Sequence, residues 1–153
     1  MSICGLDFGT SNSTIGVIRD GRKTMVPLEQ DSHSEWQTTM PSAMFFDFED
    51  DTTSFGRKAV ALYADGKPGR LLRSMKNMLG SSYMGDGTQV KRQFYTYEEI
   101  VGFFVGRLKQ LADTYLQNEG TQLESVVVGR PVYFNDRDKD LDRAAEKHPA
   151  AIA

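Results

Sequence analysis

Gly5-Leu6-Asp7-Phe8-Gly9-Thr10-Ser11-Asn12-Ser13-Thr14-Ile15-Gly16-Val17-Ile18 opens the chain as two strands around a polar tip. Residues 2–8 form a short apolar run with one acid inside it. Residues 9–13 are a turn by composition, because glycine, asparagine and serine tolerate tight backbone and bond to it locally. Residues 14–18 are rich in β-branched side chains and read as the returning strand. Asp7 stands at the strand end among apolar neighbours, where a carboxylate is costly unless it is paired or bound to a cation. Gly9 lets the backbone approach a ligand closely. Thr10, Ser11, Asn12 and Ser13 offer hydroxyls, an amide and backbone N–H donors, which suit phosphate oxygens. An acid beside such a tip is one way to hold a Mg²⁺-phosphate, with the carboxylate reaching the metal through water. A plain hairpin whose polar tip only satisfies itself fits the same residues, and composition leaves both readings open.

Outward from this hairpin the chain continues as a meander. Asp20-Gly21 is a strong two-residue turn signal, and residues 23–27 follow as a third strand. Residues 29–39 are polar and read as a loop, with Trp36 as its buried anchor and His33 solvated. Met40-Pro41-Ser42 leads into a phenylalanine-rich strand at 43–48. Residues 49–53 are a charged turn; a calcium loop would want a bidentate glutamate that does not follow. A short helix is expected at 57–64, broken by 66–69, and a second at 71–79 with Gly80 as its C-cap. Residues 85–87 read as a loop.

The strongest helix spans 97–117. Thr96 and Glu99 form a capping box, each side chain satisfying a free amide at the helix start. Ile100, Phe104, Leu108, Leu111 and Tyr115 recur at helical spacing on one face. Gly102 and Gly106 suit close packing, and Gly120 closes the helix. Ser125-Val126-Val127-Val128 reads as a buried strand from its unbroken β-branched run. Residues 130–136 turn into a last helix, with Asp136 as N-cap and Pro149 at its end. A hairpin sheet that gains a later strand through a helix is α/β with a mixed sheet.

Composition narrows the function classes. The 153 residues carry 18 basic and 21 acidic side chains, a net charge of −3, so neither nucleic acid nor an anionic membrane is an expected partner. The one cysteine, Cys4, excludes an intrachain disulfide and reads as a small buried apolar residue. Two histidines leave little for a histidine metal site. No basic flank and apolar run marks a signal peptide at 1–7, and no apolar run approaches the ~20 residues of a spanning helix, so a cytoplasmic protein is expected. Asp7-Phe8-Gly9 spells a kinase metal triad, but the six residues before it leave no room for the upstream loops. Neither G-x-G-x-x-G after a strand nor G-x-x-x-x-G-K-[ST] occurs.

Five ordered blocks carry a resemblance. Gly5-Leu6-Asp7-Phe8-Gly9-Thr10-Ser11-Asn12-Ser13 resembles the first phosphate motif of the actin-like ATPase superfamily, in its seventy-kilodalton heat-shock chaperone (DnaK-type) form. Gln37-Thr38-Thr39-Met40-Pro41-Ser42 is similar to that family's Thr-Pro-Ser segment, with Met40 as an extra residue. Phe55-Gly56-Arg57-Lys58-Ala59 sits where the family has a G-x-x-A turn. Met75-Lys76-Asn77-Met78-Leu79-Gly80 resembles its lysine-bearing helix. Residues 126–136, Val-Val-Val-Gly-Arg-Pro-Val-Tyr-Phe-Asn-Asp, resemble its V-I-T-V-P-A-Y-F-N-D strand and turn. The likeness is to a divergent bacterial chaperone-like branch.

The resemblance implies an α/β, actin-like ATPase (ribonuclease H-like) first lobe with a five-stranded-type mixed sheet. Residues 1–36 and 96–153 would form an incomplete core subdomain and residues 37–95 an inserted small subdomain. It implies ATP and Mg²⁺ as cofactors. Gly9, Thr10, Ser11 and Asn12 would hold the β- and γ-phosphates, with Ser11 keeping the hydroxyl of a common threonine. Asp7 would position Mg²⁺ through water, and Lys76 would neutralise the γ-phosphate and orient the attacking water. For the whole protein it implies unfolded clients and co-chaperones as partners. The family's second phosphate loop, its catalytic glutamate segment and its adenosine pocket do not occur in these residues, so the chain alone is expected to hydrolyse ATP negligibly. Residues 143–153 leave the family pattern, and the tail reads as a truncation or a shifted frame. The alternative is a non-enzymatic remnant that self-associates through an exposed apolar face, with Phe103, Phe104, Val127 and Tyr133 as candidates for lining it.

Overall fold

The structure of the protein, a computed structural model, describes residues 2–19, 21–78 and 87–129. β1 (Ile3–Phe8) alternates strictly: Cys4, Leu6 and Phe8 are buried, while Ile3, Gly5 and Asp7 face outward. β2 (Asn12–Arg19) returns antiparallel with Ser13, Ile15 and Val17 buried on the same inner face. Gly21, at φ 74°, supplies the left-handed turn into β3 (Arg22–Met25). The expected loop at 29–39 contains a small ladder between β4 (Glu29–Gln30) and β5 (Trp36–Gln37). The Asp31 carboxylate holds that loop by accepting the His33 and Glu35 N–H groups and the Gln37 amide. His33 is exposed, as expected. Trp36 is 63% exposed, so it is not the buried anchor that its size suggested; the loop is tied by Asp31 instead.

β6 (Thr39–Pro41) pairs with the first residues of β2. β7 (Ala43–Asp47) is buried at every residue because strands flank it on both sides and a helix covers it. Those neighbours are β8 (Thr53–Phe55), α1 (Gly56–Ala64) and β9 (Gly69–Arg73). The helix expected at 71–79 is overturned: 69–73 is a strand, and Met75–Met78 is a 3₁₀ turn. A Cβ at Gly69 would run into the Phe45 ring and the Phe46 carbonyl, so the chain lies flat against β7 and its ladder overrides local helical preference. Leu79, Gly80 and residues 85 and 86 lie outside the described residues. Gly87, expected at the end of a loop, opens β10 (Gly87–Val90), which pairs with β11 (Gln93–Thr96) in a hairpin where the sequence suggested no element.

α2 (Tyr97–Asn118) carries the capping box in full, with the Thr96 hydroxyl accepting the Glu99 N–H and the Glu99 carboxylate accepting the Thr96 N–H. It leads to β12 (Ser125–Gly129), which lies parallel to β1 and completes the order β12-β1-β2-β3, with β6 also on β2. This five-stranded mixed sheet, reached through a helix, is the architecture the sequence implied. The core packs Cys4, Leu6, Phe8, Ile15 and Val17 against Ile100, Phe104, Leu108, Ala112 and Leu116 of α2. Leu111 and Tyr115 only flank it.

Three packing expectations change. Among the described residues β12 is an edge strand, and Val126 and Val127 are exposed, Val127 by 62%, so its β-branched run is not fully buried. Gly106 is exposed, with nothing within 4 Å of a Cβ placed there, so it marks no close packing. Phe104 is fully buried and cannot line an exposed face, whereas Phe103 is 44% exposed. Tyr133, Asp136 and Pro149 lie outside the described residues.

The charged turn at 49–53 is organised by buried Asp47. Its carboxylate accepts the Glu49 and Asp50 N–H groups at 2.8 and 3.0 Å, and Lys67 Nζ lies 3.8 Å away. The Asp50 N–H above all, with the Glu49 N–H and the Lys67 charge, holds the Asp47 carboxyl below its ordinary value of 3.8. A carboxyl lowered in the folded state contributes stability that is present above its unfolded value and is lost as pH falls through the folded one. Asp47→Asn is therefore expected to melt lower than the parent at neutral pH and to lose less stability on acidification below pH 3.8. Parallel acid-side slopes in the two melting-temperature profiles would show that Asp47 plays no such part.

Candidate functional site

The hairpin tip is built from a glycine that nothing larger can replace. A Cβ at Gly9 would overlap the Asn12 carbonyl oxygen, so the backbone closes on itself across residues 9–12. Ser42 then fastens the tip from the neighbouring segment. Its Oγ donates to the Gly9 carbonyl at 2.7 Å and lies 2.8 Å from Ser13 Oγ, and its N–H donates to the Ser11 carbonyl at 2.9 Å. Thr14 Oγ1 donates to the Thr38 carbonyl at 2.6 Å, and the β6–β2 register sets Asn12 opposite Pro41. Ser13 and Ser42 are both buried and belong to this scaffold, so the Ser13 hydroxyl, read from sequence as a phosphate donor, is instead held by Ser42, which was not singled out as a positioning residue. The Thr-Pro-Ser likeness at 37–42 marked the segment but not the bond from Ser42 back to Gly9.

With the inner side of the tip occupied, its outer side is open. Gly9 and Thr10 are half-buried, and Ser11 and Asn12 are exposed. Asp7 is on the outward face of β1, with its Cα opposite Thr14 on one side and Gly129 on the other. The expectation that it sits among apolar neighbours is corrected by strand alternation: its neighbours in sequence, Leu6 and Phe8, point into the core and Asp7 points away. Among the described residues its carboxylate has no hydrogen-bond or ion-pair partner.

Lys76 stands on the 3₁₀ turn, not on a helix. Buried Met75 beside it anchors that turn in the same core as Leu6 and Phe8, and the turn packs against α2. Lys76 itself is half-buried. No hydrogen bond or ion pair joins it to Asp7 or to the tip, so the structure brings Gly9, Thr10, Ser11 and Asn12 together beside Asp7 and leaves Lys76 on a separate element.

The donor set suits an anion with an associated cation. A closed glycine turn, a hydroxyl and an amide at an open tip, and a carboxylate without a partner among the described residues are chemically compatible with a Mg²⁺-phosphate group. Among the described residues no group of three His, Cys, Asp or Glu side chains could hold a metal ion by itself. Cys4, under the sheet, is not reactive: burial pushes its thiol up to about 11. Among the described residues no helix is long and apolar enough to cross a membrane.

Comparison with known proteins adds an independent finding. The model of the family described as "Hsp70 protein" matches residues 3–153. The chain is also 29% identical over 151 residues to the "Chaperone protein DnaK" of Methanothermobacter thermautotrophicus, an alignment that covers 99% of this chain. It covers 23% of that relative, so the chain spans about a quarter of its length.

Proposed function

This chain belongs to the Hsp70 family, with the actin-like ATPase fold of that family's N-terminal domain, and we propose that residues 5–13 bind the phosphates of Mg²⁺-ATP. The observation that supports this most is the Gly9 turn, where a Cβ would overlap backbone, with a carboxylate beside its open outer side that has no partner among the described residues. In this reading Gly9, Thr10, Ser11 and Asn12 hold the β- and γ-phosphates through backbone N–H groups and side-chain donors. Asp7 orients Mg²⁺ through water, and Lys76 approaches the γ-phosphate. Mg²⁺, when bound, neutralises phosphate charge. The chain acts as the nucleotide-binding lobe of a chaperone-like ATPase of the divergent bacterial kind, in the cytoplasm, with residues 1–36 and 96–153 as its core subdomain and 37–95 as the insertion. Clients and co-chaperones belong to the whole protein. Hydrolysis by these residues alone is expected to be negligible.

The test is a thermal melt with and without millimolar Mg²⁺-ATP. A ligand at 100 times its dissociation constant that binds only the folded state stabilises by ~2.7 kcal/mol, several degrees for a domain of this size. Asp7→Ala is expected to leave the melt without nucleotide unchanged, because the side chain is exposed and has no partner among the described residues, and to remove the shift. A cooperative melt of the parent with no shift would overturn the proposal. A second reading, self-association without nucleotide, is favoured by the outward sheet face, where Ile3, Ile18 and Val127 are 41%, 54% and 62% exposed. Sedimentation that gives a dimer insensitive to Mg²⁺-ATP would support it.

A further inference from the structure

The outer edge of β8 opens onto a groove that shares no residue with the phosphate hairpin. Three adjoining hollows of about 530, 410 and 480 Å³ all have Thr53 in their walls. Phe46, Phe55, Tyr95 and Phe103 form an apolar wall, with Tyr95 stacked on Phe46 at 5.5 Å and edge-on to Phe103 at 5.8 Å. Phe103 keeps its exposure on a helix whose inner face is otherwise in the core.

Among the described residues β8 has β7 on one side and no strand on the other. The register identifies which backbone groups face away. The Asp47 N–H bonds to the Thr52 carbonyl, so that pair is a hydrogen-bonded one, and antiparallel alternation makes Phe45 and Ser54 the next. Thr53, between them, turns both its N–H and its C=O outward. Phe55 turns its N–H the same way, while its carbonyl enters α1 as the N-cap. A row of donor, acceptor and donor thus borders the groove, which is the pattern an added strand requires.

Charge selects the kind of strand. The carboxylates around the groove are already matched: Glu29 by Arg57, Asp51 by Lys91 and Asp113 by Lys109. Asp47 is held by the Glu49 and Asp50 N–H groups and Lys67. Lys58, Arg92 and Arg107 line it and make no ion pair with a described residue; Arg107 Nη1 donates to the Gln110 side-chain carbonyl. We propose that this groove binds an extended acidic segment of another protein, added as a strand on β8, with bulky apolar side chains against Phe46, Tyr95 and Phe103.

Fluorescence anisotropy of the full chain tests this with three labelled peptides of equal length. One alternates Glu and Phe, one alternates Lys and Phe, and one is the Glu–Phe peptide N-methylated at alternate residues. The Glu–Phe peptide alone is expected to bind, more weakly as salt is raised, and Arg107→Glu is expected to weaken it about tenfold. Equal binding of the Lys–Phe peptide would remove the charge argument. Undiminished binding of the N-methylated peptide would remove strand addition. No binding of any peptide, or a dimer of this chain that excludes the peptide, would overturn the proposal. The peptide comparisons use the unaltered chain, so they decide the matter even if Arg107→Glu fails to fold.

Discussion

Replacing Gly9 by alanine is expected to lower the melting temperature by several degrees and to remove stabilisation by Mg²⁺-ATP. The added methyl would overlap the Asn12 carbonyl oxygen, which is backbone and cannot swing aside as a flexible side chain would. Overpacking of this kind costs about 1–3 kcal/mol, and here the strain is relieved only by opening the turn that Ser42 fastens at the Gly9 carbonyl. Gly5 is the control, on the same strand. Its added Cβ would meet only the Gly16 carbonyl oxygen at 3.9 Å, ordinary contact, so Gly5→Ala is expected to stay within about 0.5 kcal/mol of the parent. Thermal melts of the two variants, each with and without Mg²⁺-ATP, are the measurement. Indistinguishable behaviour would mean that the closed turn is not what makes the tip a site.

The largest loss of stability is expected at Phe104. Its ring is fully buried, 5.7 Å from Phe8 at the end of β1 and 6.4 Å from Phe55 at the end of β8. It therefore joins the sheet that carries the hairpin to the smaller sheet that carries the groove. Phe104→Ala removes that shared contact and leaves a cavity, at a cost of about 3–5 kcal/mol. That is a large share of the roughly 5–15 kcal/mol that holds an ordinary domain folded. Phe103, its neighbour in sequence, is 44% exposed, and Phe103→Ala is expected to cost under about 1 kcal/mol while weakening the acidic peptide at the groove. Urea unfolding of both variants separates the two roles. A Phe104→Ala loss no greater than that of Phe103→Ala would sink the assignment of Phe104 as the joining residue.

What local sequence determined is what neighbouring residues decide among themselves. The first strand, the Gly9 turn, the capping box of Thr96 and Glu99, and the helical spacing of Ile100, Phe104 and Leu108 each rest on residues close together in the chain, and each forms as read. The order of these elements, with a helix between β2 and β12, already required a mixed sheet. Tertiary structure alone decided the rest, because burial and pairing depend on partners far along the chain. Residues 69–73 became a strand because β7 lay ready to pair with them, although 71–79 had read as a helix. Val126 and Val127 of β12 are exposed where, among the described residues, β1 alone pairs with that strand, which no count of β-branched residues reveals. Asp7 faces away from the core because strand pairing sets which face of β1 is buried, and the hydroxyl that steadies the Gly9 turn comes from Ser42, 33 positions along the chain.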